Sequence, residues 1–530
     1  MAKRKQPLHP DAPLRHRDHA RPVTRRDFLA QGFLSGMGMT LGGSALSLLA
    51  SSRAHASHGL SPDLIALANS LRDAGGNPSC SLGGTGSNPL PFICFDLAGG
   101  ANIAGSNVLV GRDTQMDFLT TAGYSKLGLP GDMIPGGTEA TPSATGTSNG
   151  DFTDTTFGLA FHSDSAFLRG MVASAPTVVA RPANVDGVVI PARSGNDTGN
   201  NPHNPMYGIA RAGGDGSVVT LIGSRNSDSG GNSMAPAMMI DPTIRPSKVD
   251  RPSDVTGMVD TGDLTAILSE QDVVSVMESV ARVSNSKLGA VTTGLSSDTV
   301  IKDLVRCGYL KAADIADRFA GVPVDPAGDT RIRGGIFTAA EFDNDREFQK
   351  TASVMKMVID GNAGAGTIAM GGYDYHTGDR STGETRDLRA GRCIGACLEY
   401  AALVGNPVMI YVFSDGSLAS NGTVDNSTAG RGKGVWTGDN SSTAASFILV
   451  YNPNGVTALR RQIGAFSGDG SVITSSSPAA NNVNLLVETV LLNYMSMTGQ
   501  IGQFSSLFTG FGTNPSAVLL DSLTAFGPLA

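Results

Sequence analysis

The sequence predicts an α/β protein with a mainly parallel sheet and helices on both faces, and three observations lead there. Short β-rich runs alternate with longer helical patterns. Apolar residues make up 40% of the 530-residue chain, enough for a large core. Many Gly, Ser, Thr and Asn residues and a single tryptophan imply long polar loops around one compact centre, with no clean linker, internal repeat or heptad array to divide it.

From the N-terminus, Thr24-Arg25-Arg26-Asp27-Phe28-Leu29 precedes an uncharged stretch from Phe28 to Ala50 and then Ala54-His55-Ala56. That order reads as a twin-arginine export signal over residues 1–56 with a small-residue cleavage site, so the translocase is the expected partner during export and the mature chain is expected to be periplasmic or secreted. Roughly 20 apolar residues suffice to span a bilayer. Here Gly32, Gly36, Gly38, Gly42 and Gly43 each cost about 1 kcal/mol of helix propensity, which favours a cleaved signal over an anchor and leaves no stable membrane span afterwards.

Removing that segment takes away nine Lys and Arg and three Asp, leaving 30 basic and 44 acidic residues and a net charge of about −14. An acidic surface repels nucleic-acid phosphates and anionic lipid, which argues against both as partners.

The strands expected are Pro91 to Phe95, Thr177 to Ala180, Val218 to Ile222, Thr367 to Met370, Val408 to Phe413 and Ser446 to Tyr451. The helices expected are Ser163 to Ser174, Asp272 to Ser284, Asp303 to Phe319, Ala340 to Ile359, Thr385 to Val404 and Asn484 to Met497, with Ser269-Glu270-Gln271-Asp272 as a capping box. Residues from about 234 to 335 form a mostly helical insertion or cap. Pro130 to Asp154 and Ser414 to Asp439 read as surface loops. Cys393 and Cys397 lie on a helical stripe with Ile394, Leu398 and Ala401, which predicts ordinary burial, and Cys80 and Cys94 are a candidate disulfide in an exported protein.

Ligands of open α/β sheets gather at the carboxyl ends of the strands, and charged residues fall there in this sequence. Asp96 follows Phe92-Ile93-Cys94-Phe95; Asp374 and His376 follow Ile368-Ala369-Met370; Asp415 closes the run ending in Ser414; Asp439 precedes a further strand. Two carboxylates about 5 Å apart at an effective dielectric near 20 repel by roughly 3 kcal/mol, so converging acids need a cation. A divalent metal supplies it, with Asp oxygens and a His nitrogen as ligands; the alternative is a salt bridge from Arg380 or Arg431.

These motifs also resemble those of a family of exported bacterial domains of unknown function, remotely related to the alkaline phosphatase and sulfatase superfamily. The likeness runs through Phe95-Asp96-Leu97-Ala98-Gly99-Gly100-Ala101-Asn102, Gly372-Tyr373-Asp374-Tyr375-His376 and Ser414-Asp415-Gly416-Ser417. It implies an alkaline phosphatase/sulfatase-like fold with Asp96, Asp374, His376, Asp415 and Asp439 as metal ligands.

Two positions depart from the family pattern. Gly438-Asp439-Asn440-Ser441 carries an amide where the family has histidine, and Asn201-Pro202-His203-Asn204 keeps the histidine but has proline where the family has serine. His203, Asn201 and Asn440 are then expected at the substrate side, where Asn-rich loops meet sugar or phosphate oxygens. The mature chain holds only His58, His162, His203 and His376, too few for a histidine-rich two-metal centre, and Asn440 favours a calcium- or magnesium-type cation. Ser194, Thr198, Ser414 and Ser417 are the nearby hydroxyls, and none lies in a recognised nucleophile motif. Two functions are therefore expected: metal-dependent hydrolysis of a small anionic phosphate or sulfate ester, or non-catalytic binding or assembly in the envelope, with a glycan as a candidate ligand, on the same scaffold.

Overall fold

The computed structural model describes residues 59–72, 76, 80, 82, 90–137, 149–195, 201–260, 268–319 and 322–529. The segment expected to be an export signal, with Arg25 and Arg26, and Thr198 lie outside them. Among the described residues no helix is long and apolar enough to cross a membrane.

The strands are β1 Phe92–Leu97, β2 Thr153–Asp154, β3 Phe161–His162, β4 Val185–Pro191, β5 Val219–Gly223, β6 Ser247–Lys248, β7 Ala363–Met370, β8 Val408–Phe413, β9 Leu418–Asp425, β10 Lys433–Asp439 and β11 Ala445–Tyr451. The longer helices are α1 Pro62–Ser70, α2 Ala166–Ser174, α3 Pro252–Val259, α4 Glu270–Ala290, α5 Asp298–Phe319, α6 Arg346–Ile359, α7 Ser381–Val404 and α8 Val483–Met497.

Seven strands form one sheet in the order β4-β11-β8-β1-β7-β5-β6. Only β11 runs against its neighbours; the β8-β1-β7-β5-β6 pairings are all parallel. Strands buried on both faces read as mainly apolar runs, and β1, β8 and β11 do, broken only by Asp96 in β1 and Ser446 in β11. Their side chains still alternate. Ile93, Phe95 and Leu97 join Ile410, Val412, Phe447 and Leu449 in a core covered by α2, α6 and α7, whereas Phe92 and Cys94 join Met409, Tyr411, Ile448 and Val450 in a second core under α8. Helices on both faces follow directly from this division. The parallel strands end along one edge of the sheet, the edge that carries the expected site.

Several elements differ from expectation for identifiable reasons. Thr177 to Ala180 is not a strand: Pro176 starts a short helix, Pro176–Val179, and the outer strand is β4, whose apolar run is interrupted by Asp186-Gly187. Ala340 to Ile359 is two helices, because Asp345 stops Ala339–Asn344 and its side chain caps α6 by accepting from Glu347 N. Ser414 to Asp439 is largely the β9–β10 hairpin rather than a loop; its exposed Ser, Asn and Thr residues hide the period-two pattern. At the start of α4, Ser269 Oγ accepts from Asp272 N as the sequence suggested.

The 234–335 segment supplies edge strand β6 and then α3, α4 and α5. Helices α4 and α5 pack with α1 around two small cores, one of Leu64, Leu71, Ala281 and Leu310, the other of Leu60, Val273, Met277 and Ala313. Here the disulfide expectation is corrected. Cys80 pairs with Cys307 on α5. Cys94 cannot reach it, being locked inside β1 with its Sγ 3.3 Å from Thr367 Oγ1. Cys393 and Cys397 are buried free thiols.

Candidate functional site

The acids at the sheet edge separate into an exposed set and a buried set. In the exposed set, His376 Nε2 lies 2.7 Å from Asp374 Oδ1 and 3.5 Å from Asp439 Oδ1. One ligand atom from each of the three lies within 4.8 Å of the others, the only such group of His, Cys, Asp and Glu among the described residues. The side chains of Asp374, His376 and Asp439 are 63%, 37% and 48% exposed.

The backbone explains how residues so distant in sequence meet. Asp374 and His376 sit in the turn between β7 and α7. Gly99, after β1, has φ +124°, and a Cβ there would fall 2.5 Å from Asp374 N, so the Asp374 turn can pack against the β1 turn only over a glycine. Asp439 arrives on β10. That hairpin is pinned to the same turn by Gly378 N donating to Trp436 O and Trp436 N donating to Asp379 O.

Beneath it, fully buried Lys433 reaches Glu384 Oε1 at 2.9 Å and Asp164 Oδ2 at 3.1 Å, and Arg431 pairs with Asp164. Arg380 binds Glu384 at 2.8 Å and lies over the Trp436 ring at 4.5 Å. Neither Arg380 nor Arg431 therefore neutralises Asp374 or Asp439, which instead share the His376 ring. Lys433, Glu384 and Trp436 escaped the sequence reading; a lysine two residues after Arg431 and three before the sole tryptophan, in an otherwise polar hairpin, was the available signal.

In the buried set, Asp96 is an acceptor already satisfied by protein. Its Oδ2 accepts from Asn232 N at 2.6 Å and Ser233 N at 2.8 Å, and its Oδ1 from Ser233 Oγ at 3.2 Å. Burial, aided by the Asp415 charge and opposed by these bonds, pushes its pKa up to about 6. Asp415 Oδ1 accepts from Gly99 N at 2.7 Å, while Oδ2 has no partner among the described residues. Both acids fall outside the exposed group, so three of the five expected metal ligands come together and two do not.

The expected substrate-side residues are also engaged. Asn440 Oδ1 accepts from Ser442 N and Ser442 Oγ, closing its own turn. Asn201 Nδ2 donates to Asp415 O at 2.9 Å and to Gly195 O. His203 is buried, stacked on Phe413, and its pKa is lowered by burial to about 3, so the ring is neutral.

His203 Nε2 lies 2.9 Å from Ser194 Oγ, which also faces Ser414 O at 3.2 Å. His203 Nδ1 has no partner among the described residues. An orphaned buried N–H costs more than an orphaned acceptor, which places the proton on Nε2, with His203 donating to Ser194 and Ser194 to Ser414 O. In that arrangement His203 holds Ser194 in place and does not activate it as a base would. Ser414 Oγ donates to Leu97 O, and Ser417 is buried against Thr443. Ser194, Ser414 and Ser417 are thus tied into the fold.

Fold and geometry together define an α/β protein with a mostly parallel seven-stranded mixed sheet and an Asp-His-Asp group able to hold a metal at its carboxyl edge. No family model, curated protein or solved structure matches the chain.

Proposed function

We propose that this is an exported metal-dependent hydrolase acting on a phosphate or sulfate ester. The observation that supports it most is the convergence of Asp374, His376 and Asp439 at the strand ends, half open to solvent and, among the described residues, with no Lys or Arg paired to either acid. Two carboxylates and an imidazole suit a divalent cation, which when bound would offset their repulsion and supply Lewis acidity toward an ester oxygen. The residues do the rest. Asp374 and Asp439 set their carboxylate oxygens beside His376 Nε2, so all three would face the cation together, and the pinned β9–β10 hairpin holds Asp439 in reach. With Ser194, Ser414 and Ser417 tied into the fold, water is the nucleophile that fits.

The Cys80–Cys307 disulfide supports export, since such bonds persist in oxidising compartments. Turnover of aryl phosphate or aryl sulfate that depends on divalent metal and disappears in Asp374→Ala tests the proposal; folded, metal-loaded protein without turnover of either ester would overturn it.

A non-catalytic envelope role is the second reading, supported by Asn440 and Ser194 being consumed in local structure. It predicts background rates on every ester and co-purification of a stable partner or glycan.

A further inference from the structure

A cleft of about 480 Å³ opens between the β7–α7 turn and the first turns of α7. Met370 and Tyr373, almost fully buried, close its floor, and Thr382 and Thr385 line it with methyl groups and hydroxyls. Three charged side chains also line it, and two are compensated: Arg389 pairs with Asp345, and Glu347 binds Lys350 at 2.8 Å.

The third, Arg386, forms no ion pair among the described residues. Its Nη1 donates to Gly371 O at 3.3 Å, a long bond that leaves most of its five N–H donors unused. Gly372 makes room for it. With φ +87°, a Cβ at Gly372 would lie 2.6 Å from Arg386 Cζ, so the guanidinium rests flat against bare backbone.

We propose that this cleft binds an organic oxyanion: a phosphate, sulfate or carboxylate group on an apolar body. Arg386 takes the oxyanion through paired N–H donors, the geometry for which guanidinium is suited, and the Thr382 and Thr385 methyl groups and the Arg389 stem meet the apolar part. The volume falls within the range of small-molecule sites, about 300–1,000 Å³. The cleft needs no metal. It stands apart from the hydrolase reading, although Tyr373 joins it directly to Asp374.

Calorimetric titration of the full chain, stripped of metal on a chelating resin and held in metal-free buffer without soluble chelator, with phenyl phosphate, phenyl sulfate, benzoate and inorganic phosphate as probes, tests this. Saturable binding is expected for at least one of the three organic anions and weaker binding for inorganic phosphate, which has no apolar body. Affinity for that organic anion should fall about tenfold or more in Arg386→Gln.

Thr385→Glu, at an exposed helix position, places a carboxylate beside Arg386 and should abolish binding even if Arg386→Gln loses stability. No saturable binding by any organic probe, unchanged affinity in both variants, equal affinity for inorganic phosphate, or binding that appears only once divalent metal is added would overturn the inference. Hydrolase activity could survive any of those results, and a metal-free, inactive protein could still bind the anion.

Discussion

Two sets of acidic residues meet the same edge of the sheet and do opposite work. Asp96, Asp415, Asp164 and Glu384 are buried and bonded to backbone amides, lysine or arginine; Asp374 and Asp439 are exposed and share one histidine. A buried carboxylate must have its charge met by the protein, and once met it has little left to offer a ligand. An exposed carboxylate is met by water, which a ligand can displace. Removing a buried member should therefore cost stability, and removing an exposed member should cost binding.

The largest effect is expected at Lys433. Lys433→Met leaves Glu384 and Asp164 short of a cation in a buried site, and urea unfolding should show a loss of about 3–5 kcal/mol. A loss below about 1 kcal/mol would show that Arg380 and Arg431, not Lys433, compensate these acids.

Asp96→Ala comes next. It strips the acceptor from the Asn232 and Ser233 amides, for a loss of about 2–4 kcal/mol; Asp96→Asn, which keeps one acceptor, should cost less. Equal losses would mean the amides find other partners. Reducing the Cys80–Cys307 bond should cost a similar amount, about 2–4 kcal/mol, read as a lower thermal midpoint in reductant.

Acidification gives a smaller effect with a defined sign. Burial raises Asp387 to about 7 and Asp96 to about 6, so the native protein takes up these protons before the unfolded chain does, and acidification stabilises it. Burial lowers His203 to about 3 and His162 to about 4, so the unfolded chain takes up protons near pH 6.5 that the native protein refuses, and acidification destabilises it. Between about pH 7 and 5 these contributions oppose each other and stability should be nearly flat. Asp387→Asn removes a native uptake, so its stability should decline as pH falls through that window; parallel profiles for the two proteins would contradict the assignment.

The smallest effect on stability belongs to the exposed set. His376→Ala or Asp374→Asn should shift unfolding by less than about 0.5 kcal/mol.

The sequence made the sheet legible because its strands are buried on both faces and read as apolar runs; β1, β8 and β11 start and end close to where those runs do. It concealed β4 behind Asp186-Gly187 and the β9–β10 hairpin behind a polar surface, where pairing is decided by the Lys433 cluster and Trp436 rather than by local pattern. At the site, the rule that charged residues follow strands located Asp96, Asp374, His376 and Asp415, and Asp439 was placed before a strand, but nothing in the pattern could sort them. Asp96 and Asp374 look alike in sequence; the difference is that the 232–233 backbone folds over one and leaves the other open. The Cys80–Cys307 pairing depends on α1 and α5 meeting, a long-range contact with no sequence signature.

The separation of the two sets is tested most directly by titrating divalent metal into the full chain and its variants under calorimetry. Stoichiometric binding is expected in the native protein and in Asp96→Asn, and its loss in Asp374→Ala, His376→Ala and Asp439→Ala. No binding by the folded native protein, or binding that survives His376→Ala and disappears in Asp96→Asn, would contradict it.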